Sequence, residues 1–120
     1  MQIKNDEIFR IALELEHLDD SFSTLPINIL FPILKNKSLL ENAALDIQNT
    51  RDIIVNSNLS EDEKKERMQQ LSNIVQNIPI TTISLSSFPE GTVLPVNALD
   101  SIMFMIIDND TKEETENGTE

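Results

Sequence analysis

Apolar positions recur at helical spacing over roughly the first two thirds of the chain, then give way to short β-branched runs punctuated by proline. Residues 1–3 fit a short edge strand. Asn5 stands as an N-cap, with Asp6 and Glu7 in the first turn, where the positive end of the helix dipole favours acids. Ile8, Ile11, Ala12, Leu15 and Leu18 share one face and predict an amphipathic helix that Asp19, Asp20 and Ser21 end.

Ser23 and Thr24 offer caps for a second helix, and Pro26 suits its first turn. Pro32 either kinks this helix or cuts residues 25–31 off as a separate turn, since an internal proline costs about 3 kcal/mol. Beyond it Ile33, Lys37, Leu40, Ala44, Ile47, Arg51 and Ile54 alternate steps of four and three, a heptad seam with two basic intrusions. Asn56, Ser57 and Asn58 break the pattern. Ser60 and Glu63 then form a capping box for a third helix to about Gln76, with Lys64, Met68, Leu71, Val75 and Ile78 facing inward. The connection between these helices is short, so they should form a long antiparallel helical hairpin.

Pro79 stops the third helix. Residues 80–86 read as a strand, with Ile83 and Leu85 on one face and Ser84 and Ser86 on the other. Phe88, Pro89, Glu90 and Gly91 match a turn with proline second, and residues 92–94 are extended and would return as a second strand beside 80–86. Pro95 opens a last helix in which Leu99, Ile102, Met103 and Ile106 are spaced for burial. The expected fold is α+β, mainly α: the hairpin, flanking helices and a small two- or three-stranded sheet. One domain over 1–108 would be followed by a disordered acidic tail over 109–120.

Composition narrows the chemistry. The 120 residues include no Cys, Trp or Tyr and five Phe, so the core must be aliphatic and no thiolate or disulfide chemistry is open. No basic-then-apolar start marks a secretory signal, and no apolar run approaches the roughly 20 residues of a membrane span, so a cytoplasmic location is expected, without membrane contact. The net charge is −12, of which residues 108–120 carry −5. Such a surface repels phosphate backbones and suits a basic protein partner, so direct nucleic-acid binding is not expected.

His17 is the only histidine, which excludes a histidine triad or a multi-histidine metal site. Glu14, Glu16, Asp19 and Asp20 make an acidic patch without the spacing of a calcium loop. Two glycines cannot build a phosphate loop, and Ser84, Ser86 and Ser87 lie in no nucleophile elbow. The expectation is a protein that is not an enzyme and needs no cofactor or metal.

Two features suit binding. The seam carrying Lys37 and Arg51, with Leu40 and Ile47, would pair with another helix, its polar members setting register. The opposing reading places those cations at the edge of the internal core, reaching water. The stretch Leu25, Ile27, Ile29, Leu30, Phe31, Ile33 and Leu34 is apolar on more than one face. It is either buried all round or leaves a patch for a partner or a second copy. Ile29, Phe31, Lys37, Leu40, Ile47 and Arg51 are therefore the candidate partner-binding residues.

The order of pieces resembles that of small uncharacterised proteins encoded by phages and prophages of Gram-positive bacteria. The likeness rests on residues 1–8 (Met-Gln-Ile-Lys-Asn-Asp-Glu-Ile), on Leu25-Pro26 opening a long helix, on Ile83-Ser84-Leu85 and on 94–100 (Leu-Pro-Val-Asn-Ala-Leu-Asp). It implies no activity and transfers no functional residue. Taken with the acidic surface and the absent catalytic chemistry, it leads to the expectation of an accessory protein that binds a bacterial host protein, for instance one of a defence system. The rivals are a self-associating virion assembly or structural protein and an oligomeric sponge for a nucleotide signal. The sponge would draw its phosphate contacts from Lys35, Lys37, Arg51, Lys64, Lys65 and Arg67.

Overall fold

A computed structural model of the chain describes residues 1–108; the segment expected to be a disordered acidic tail, 109–120, lies outside them. In chain order the elements are β1 (Gln2–Lys4), α1 (Asn5–Leu15), α2 (Asp19–Phe22), α3 (Ile27–Val55), α4 (Glu61–Asn73), β2 (Val75–Asn77), β3 (Ile83–Ser84), α5 (Val96–Ile102) and β4 (Ile106–Ile107). Two 3-10 turns, Leu85–Ser87 and Met103–Met105, flank α5. The architecture is α+β and mainly α, with one long helix packed on its neighbours and two separate two-stranded sheets.

The core follows the apolar stripe of α1. Ile8, Ile11, Ala12 and Leu15 pack against α3, which buries Ile29, Ile33, Asn36, Lys37, Leu40, Ala43 and Ile47. Ala43 is buried and Ala44 only half-buried, so the inward face is wider than the expected heptad seam. A straight helix at 3.6 residues per turn drifts off a 3.5-residue repeat. Helix α3 also runs unbroken through Pro32. The proline sits in the second turn, where its missing N–H forgoes only the bond to the Asn28 carbonyl. Pro26 itself takes the N-cap position, and its carbonyl accepts from Ile29 (2.9 Å) and Leu30 (2.8 Å).

Several local expectations are corrected. Asn5 does not cap α1: its backbone N–H extends the β1 ladder to Ile74 O (2.8 Å), which turns the side chain inward. There Nδ2 donates to Leu71 O (2.9 Å), and Oδ1 accepts from Gln76 Nε2 (2.7 Å). Asp19, Asp20 and Ser21 end nothing; they start α2, which delivers Phe22 to the core. Ser23 does not cap α3, because its hydroxyl donates back to Asp20 O (2.9 Å).

Ser60 caps α4 as expected, its Oγ accepting from Glu63 N (3.2 Å). Helix α4 nonetheless ends at Asn73, short of the expected Gln76. Ile74 and Val75 are β-branched and prefer extended backbone, and β1 supplies a ladder for them. Strand β2 pairs antiparallel with β1 in the register Gln2↔Asn77, Ile3↔Gln76, Lys4↔Val75, so Val75 is exposed and not part of an inward helical stripe. Lys64 Nζ reaches Val55 O (2.9 Å) at the end of α3, while Met68 and Leu71 lie beside Ile47 and Arg51 around one cleft. Helix α4 therefore returns antiparallel along α3, forming the hairpin.

The C-terminal part departs furthest from expectation. The strand over 80–86 contracts to β3, residues 92–94 form no strand, and the partner of β3 is β4, in parallel register Ile83↔Ile106 and Ser84↔Ile107. Ile106 thus belongs to a strand. Helix α5 is one turn shorter than expected, so Ala98, Ser101, Ile102 and Met105 turn inward, while Leu99 and Met103 face out.

Candidate interaction surface

The six residues expected to bind a partner are separated by the fold. Ile29, Leu40 and Ile47 lie in the chain's own core and are closed to any partner of this folded monomer. Lys37 is buried as well. Its Nζ donates to Asp19 Oδ1 (2.6 Å) and lies 3.5 Å from Glu16 O, which ties α3 to the start of α2. A lysine in that position is an internal fastening, not a register mark on a docking face. Arg51 is half-buried, with its guanidinium 5.3 Å from the centroid of the Phe9 ring, a cation–π distance. Phe31 alone of the six stands well out into solvent, at 65% exposure.

The basic residues named for phosphate contacts are dispersed by use. Lys37 serves Asp19, and Lys64 caps the carbonyl end of α3, a favourable place for a cation. The acidic patch is likewise divided: Glu14 accepts from Arg10 (2.8 Å) and Asp19 from Lys37. Hydrogen bonds from Arg10 to Glu7 and Glu14 hold its guanidinium above its ordinary pKa, so this face of α1 is a solvated charge network. His17 is exposed beside Glu16. Among the described residues no three His, Cys, Asp or Glu side chains are grouped to hold a metal.

A concave apolar surface appears instead in the C-terminal part. Leu85, Phe88, Pro89, Gly91, Thr92, Leu94, Leu99 and Ile106 enclose an open pocket of about 240 Å³. Its walls come from the local chain geometry. The 3-10 turn closes with Phe88 N donating to Leu85 O (3.2 Å), and a tight turn follows in which Thr92 N and Oγ1 donate to Pro89 O (3.2 and 2.6 Å). That turn is one residue later than the proline pattern suggests. Gly91 occupies its third position at φ +78°, where a side chain is disfavoured by backbone strain; the space beside it is open. The β3–β4 pair forms the floor through Ile106, and α5 supplies Leu99 as one rim. Leu85 and Leu99 remain exposed around it.

Sequence reasoning missed this pocket. Helix periodicity turns Leu99 inward and strand periodicity puts Leu85 on the face of Ile83, and the chain sustains neither. The usable signal was the Pro-Glu-Gly turn flanked by Phe88 and Leu94, which forces apolar residues onto the two sides of one loop. A second apolar surface lies on α3. Ile27, Phe31 and Leu34 are exposed, whereas Leu25, Ile29 and Ile33 are buried, so the apolar stretch is both core and patch. No described helix is long and apolar enough to cross a membrane. No protein-family model, curated protein or solved structure matches this chain.

Proposed function

We propose that this chain is a non-enzymatic binding protein that takes an apolar side chain of a protein partner into the pocket under the 88–94 loop. The observation that carries the reading is that pocket: concave, walled by Leu85, Phe88, Leu94, Leu99 and Ile106, and rimmed by exposed apolar residues. Binding energy at protein interfaces concentrates where an anchor side chain is desolvated in such a pocket. At about 240 Å³ it is smaller than the usual small-molecule cleft of roughly 300–1,000 Å³ and fits one large side chain. The net charge of −12 favours a partner with a basic surface and speeds encounter with it. Together with the resemblance to phage-encoded proteins, this makes an accessory protein that engages a bacterial host protein the best-supported reading, with a defence component as its target.

The test is capture from a Gram-positive bacterial lysate, treated with nuclease, by the wild-type chain and by Leu99→Asp. Leu99 is exposed, so the variant should fold with the wild-type circular dichroism spectrum. A protein held by the wild type and released by the variant supports the reading. Identical captured sets, or none from either chain, would sink it.

A further inference from the structure

Helix α3 has two apolar faces, and the fold covers only one of them. At about 100° per residue, Ile27, Phe31 and Leu34 cluster on a line roughly 160° around the helix from the mean direction of Ile29, Ile33, Asn36, Leu40, Ala43 and Ile47. No single packing partner can cover two nearly opposite faces. The inward one is taken by α1 and its neighbours. The outward one stays in solvent, with Ile27 73% and Phe31 65% exposed and Leu34 37%.

The charge pattern permits contact along the same segment. Residues 21–40 contain no Asp or Glu and two lysines, which leaves −14 on the rest of a chain whose net charge is −12. One of those lysines, Lys37, is already neutralised by Asp19. Two copies meeting over α1, the second half of α3 or the start of α4 would press carboxylates together. Two copies meeting along this segment would not. Of the long acid-free runs, 21–40 and 67–89, only the first carries this outward apolar stripe on a long helix. The spacing is also self-complementary: Phe31 lies four residues after Ile27 and three before Leu34. A two-fold axis passing close to Phe31 seats Ile27 of one copy against Leu34 of the other, the reciprocal pattern an isologous interface requires.

We infer that the outward face of α3, centred on Phe31, is the contact of a two-fold homodimer. This stands apart from the pocket under the 88–94 loop, which such a dimer uses for nothing. The exposed stripe is smaller than the roughly 800 Å² per partner of standard interfaces, so the association is concentration-dependent. Because the two copies carry like net charge, added salt strengthens it by screening their repulsion, the opposite of a contact held by ion pairs.

Sedimentation equilibrium of the full chain across a wide concentration range tests this. The mass should climb from 13.6 kDa towards twice that value, and at lower concentration as salt is raised. Phe31→Asp, at an exposed position, should abolish the climb while keeping the wild-type spectrum and melting profile. Leu45→Asp, at another exposed apolar site on α3 outside the acid-free segment, should leave it unchanged. The chain has no cysteine, so Phe31→Cys offers a second readout: an oxidised sample should form a disulfide-linked pair that Leu45→Cys does not. A monomer at every concentration overturns the proposal. So does a dimer that survives Phe31→Asp, or one that weakens as salt is added.

Discussion

The body formed by α1 and α3 and the C-terminal part over 79–107 bury residues equally well but are held by different means. In the first, Ile8, Leu15, Ile29, Ile33 and Leu40 are fully buried side chains on regular helices, each turn repeating the contact of the last. In the second, Ile83, Ala98, Ile102 and Met105 are buried from a chain that changes conformation every few residues. What registers that chain on the body is one polar side chain. Asn36, fully buried on α3, donates through Nδ2 to Thr81 O (2.8 Å), and its Oδ1 accepts from Thr81 N (2.9 Å). The amide thus acts as a one-residue β-bridge, and Nδ2 also contacts Met105 Sδ (3.3 Å). Repetition stabilises the helical body; a single two-sided hydrogen-bonded clamp specifies where the C-terminal part sits. Among the described residues no buried side-chain nitrogen or oxygen lacks a hydrogen-bond partner, so the polar route is complete as well.

The sharpest way to break this comparison is to delete equal bulk from both sides. Leu40→Ala and Ile102→Ala each remove a fully buried aliphatic side chain, at an expected cost of about 3 kcal/mol. Leu40→Ala should move the whole urea transition, with every probe shifting together. Ile102→Ala should raise amide exchange first over 81–107, ahead of α1 and α3, because irregular segments open locally. Uniform exchange in both variants would show one cooperative unit and erase the distinction.

Next in size is the clamp itself. Asn36→Ala removes both hydrogen bonds to the backbone of Thr81, a residue that is itself exposed, an expected loss of about 2 kcal/mol at roughly 1 kcal/mol per bond. The loss should concentrate in the C-terminal part, read as faster exchange at Thr81 and at the β3–β4 pair. If Asn36→Ala and Leu40→Ala give indistinguishable exchange maps, the clamp is ordinary core and specifies nothing.

How much could be read in advance tracks the same division. The stripe of α1, the N-cap at Ser60 and the hairpin of α3 and α4 follow from periodicity and local chemistry, and the structure has them. Val75 continues the helical spacing of Leu71 while also being β-branched, so its own neighbourhood fits helix and strand alike; only the distant β1 decides between the two. The partner of β3 could not be found locally either, since it lies more than 20 residues on, at Ile106. Asn36 left no periodic trace: a polar residue on an otherwise apolar face looks like a break in the stripe until its backbone partner is known. Three of the candidate binding residues lie in the chain's own core for a related reason. Ile29, Leu40 and Ile47 share a face with Lys37, and sequence cannot say whether an apolar face meets the same chain or another.

The smallest prediction sets equal energies on opposite sides. Ser60→Ala removes the side-chain acceptor that caps α4, at about 1 kcal/mol. Gly91→Ala forces a side chain onto φ +78°, at a similar cost of about 1 kcal/mol, with no steric clash to add to it. If the two regions are held by different means, the outcomes should differ in kind. Ser60→Ala should lower the urea midpoint slightly and leave partner capture intact, because α4 contributes nothing to the pocket walls. Gly91→Ala should relax the 88–94 loop, change the pocket and weaken capture, while the midpoint set by α1 and α3 barely moves. Measuring midpoint and capture on both variants separates a loop that shapes a binding surface from one that merely closes the fold: loss of stability without loss of capture in Gly91→Ala would assign it the second role.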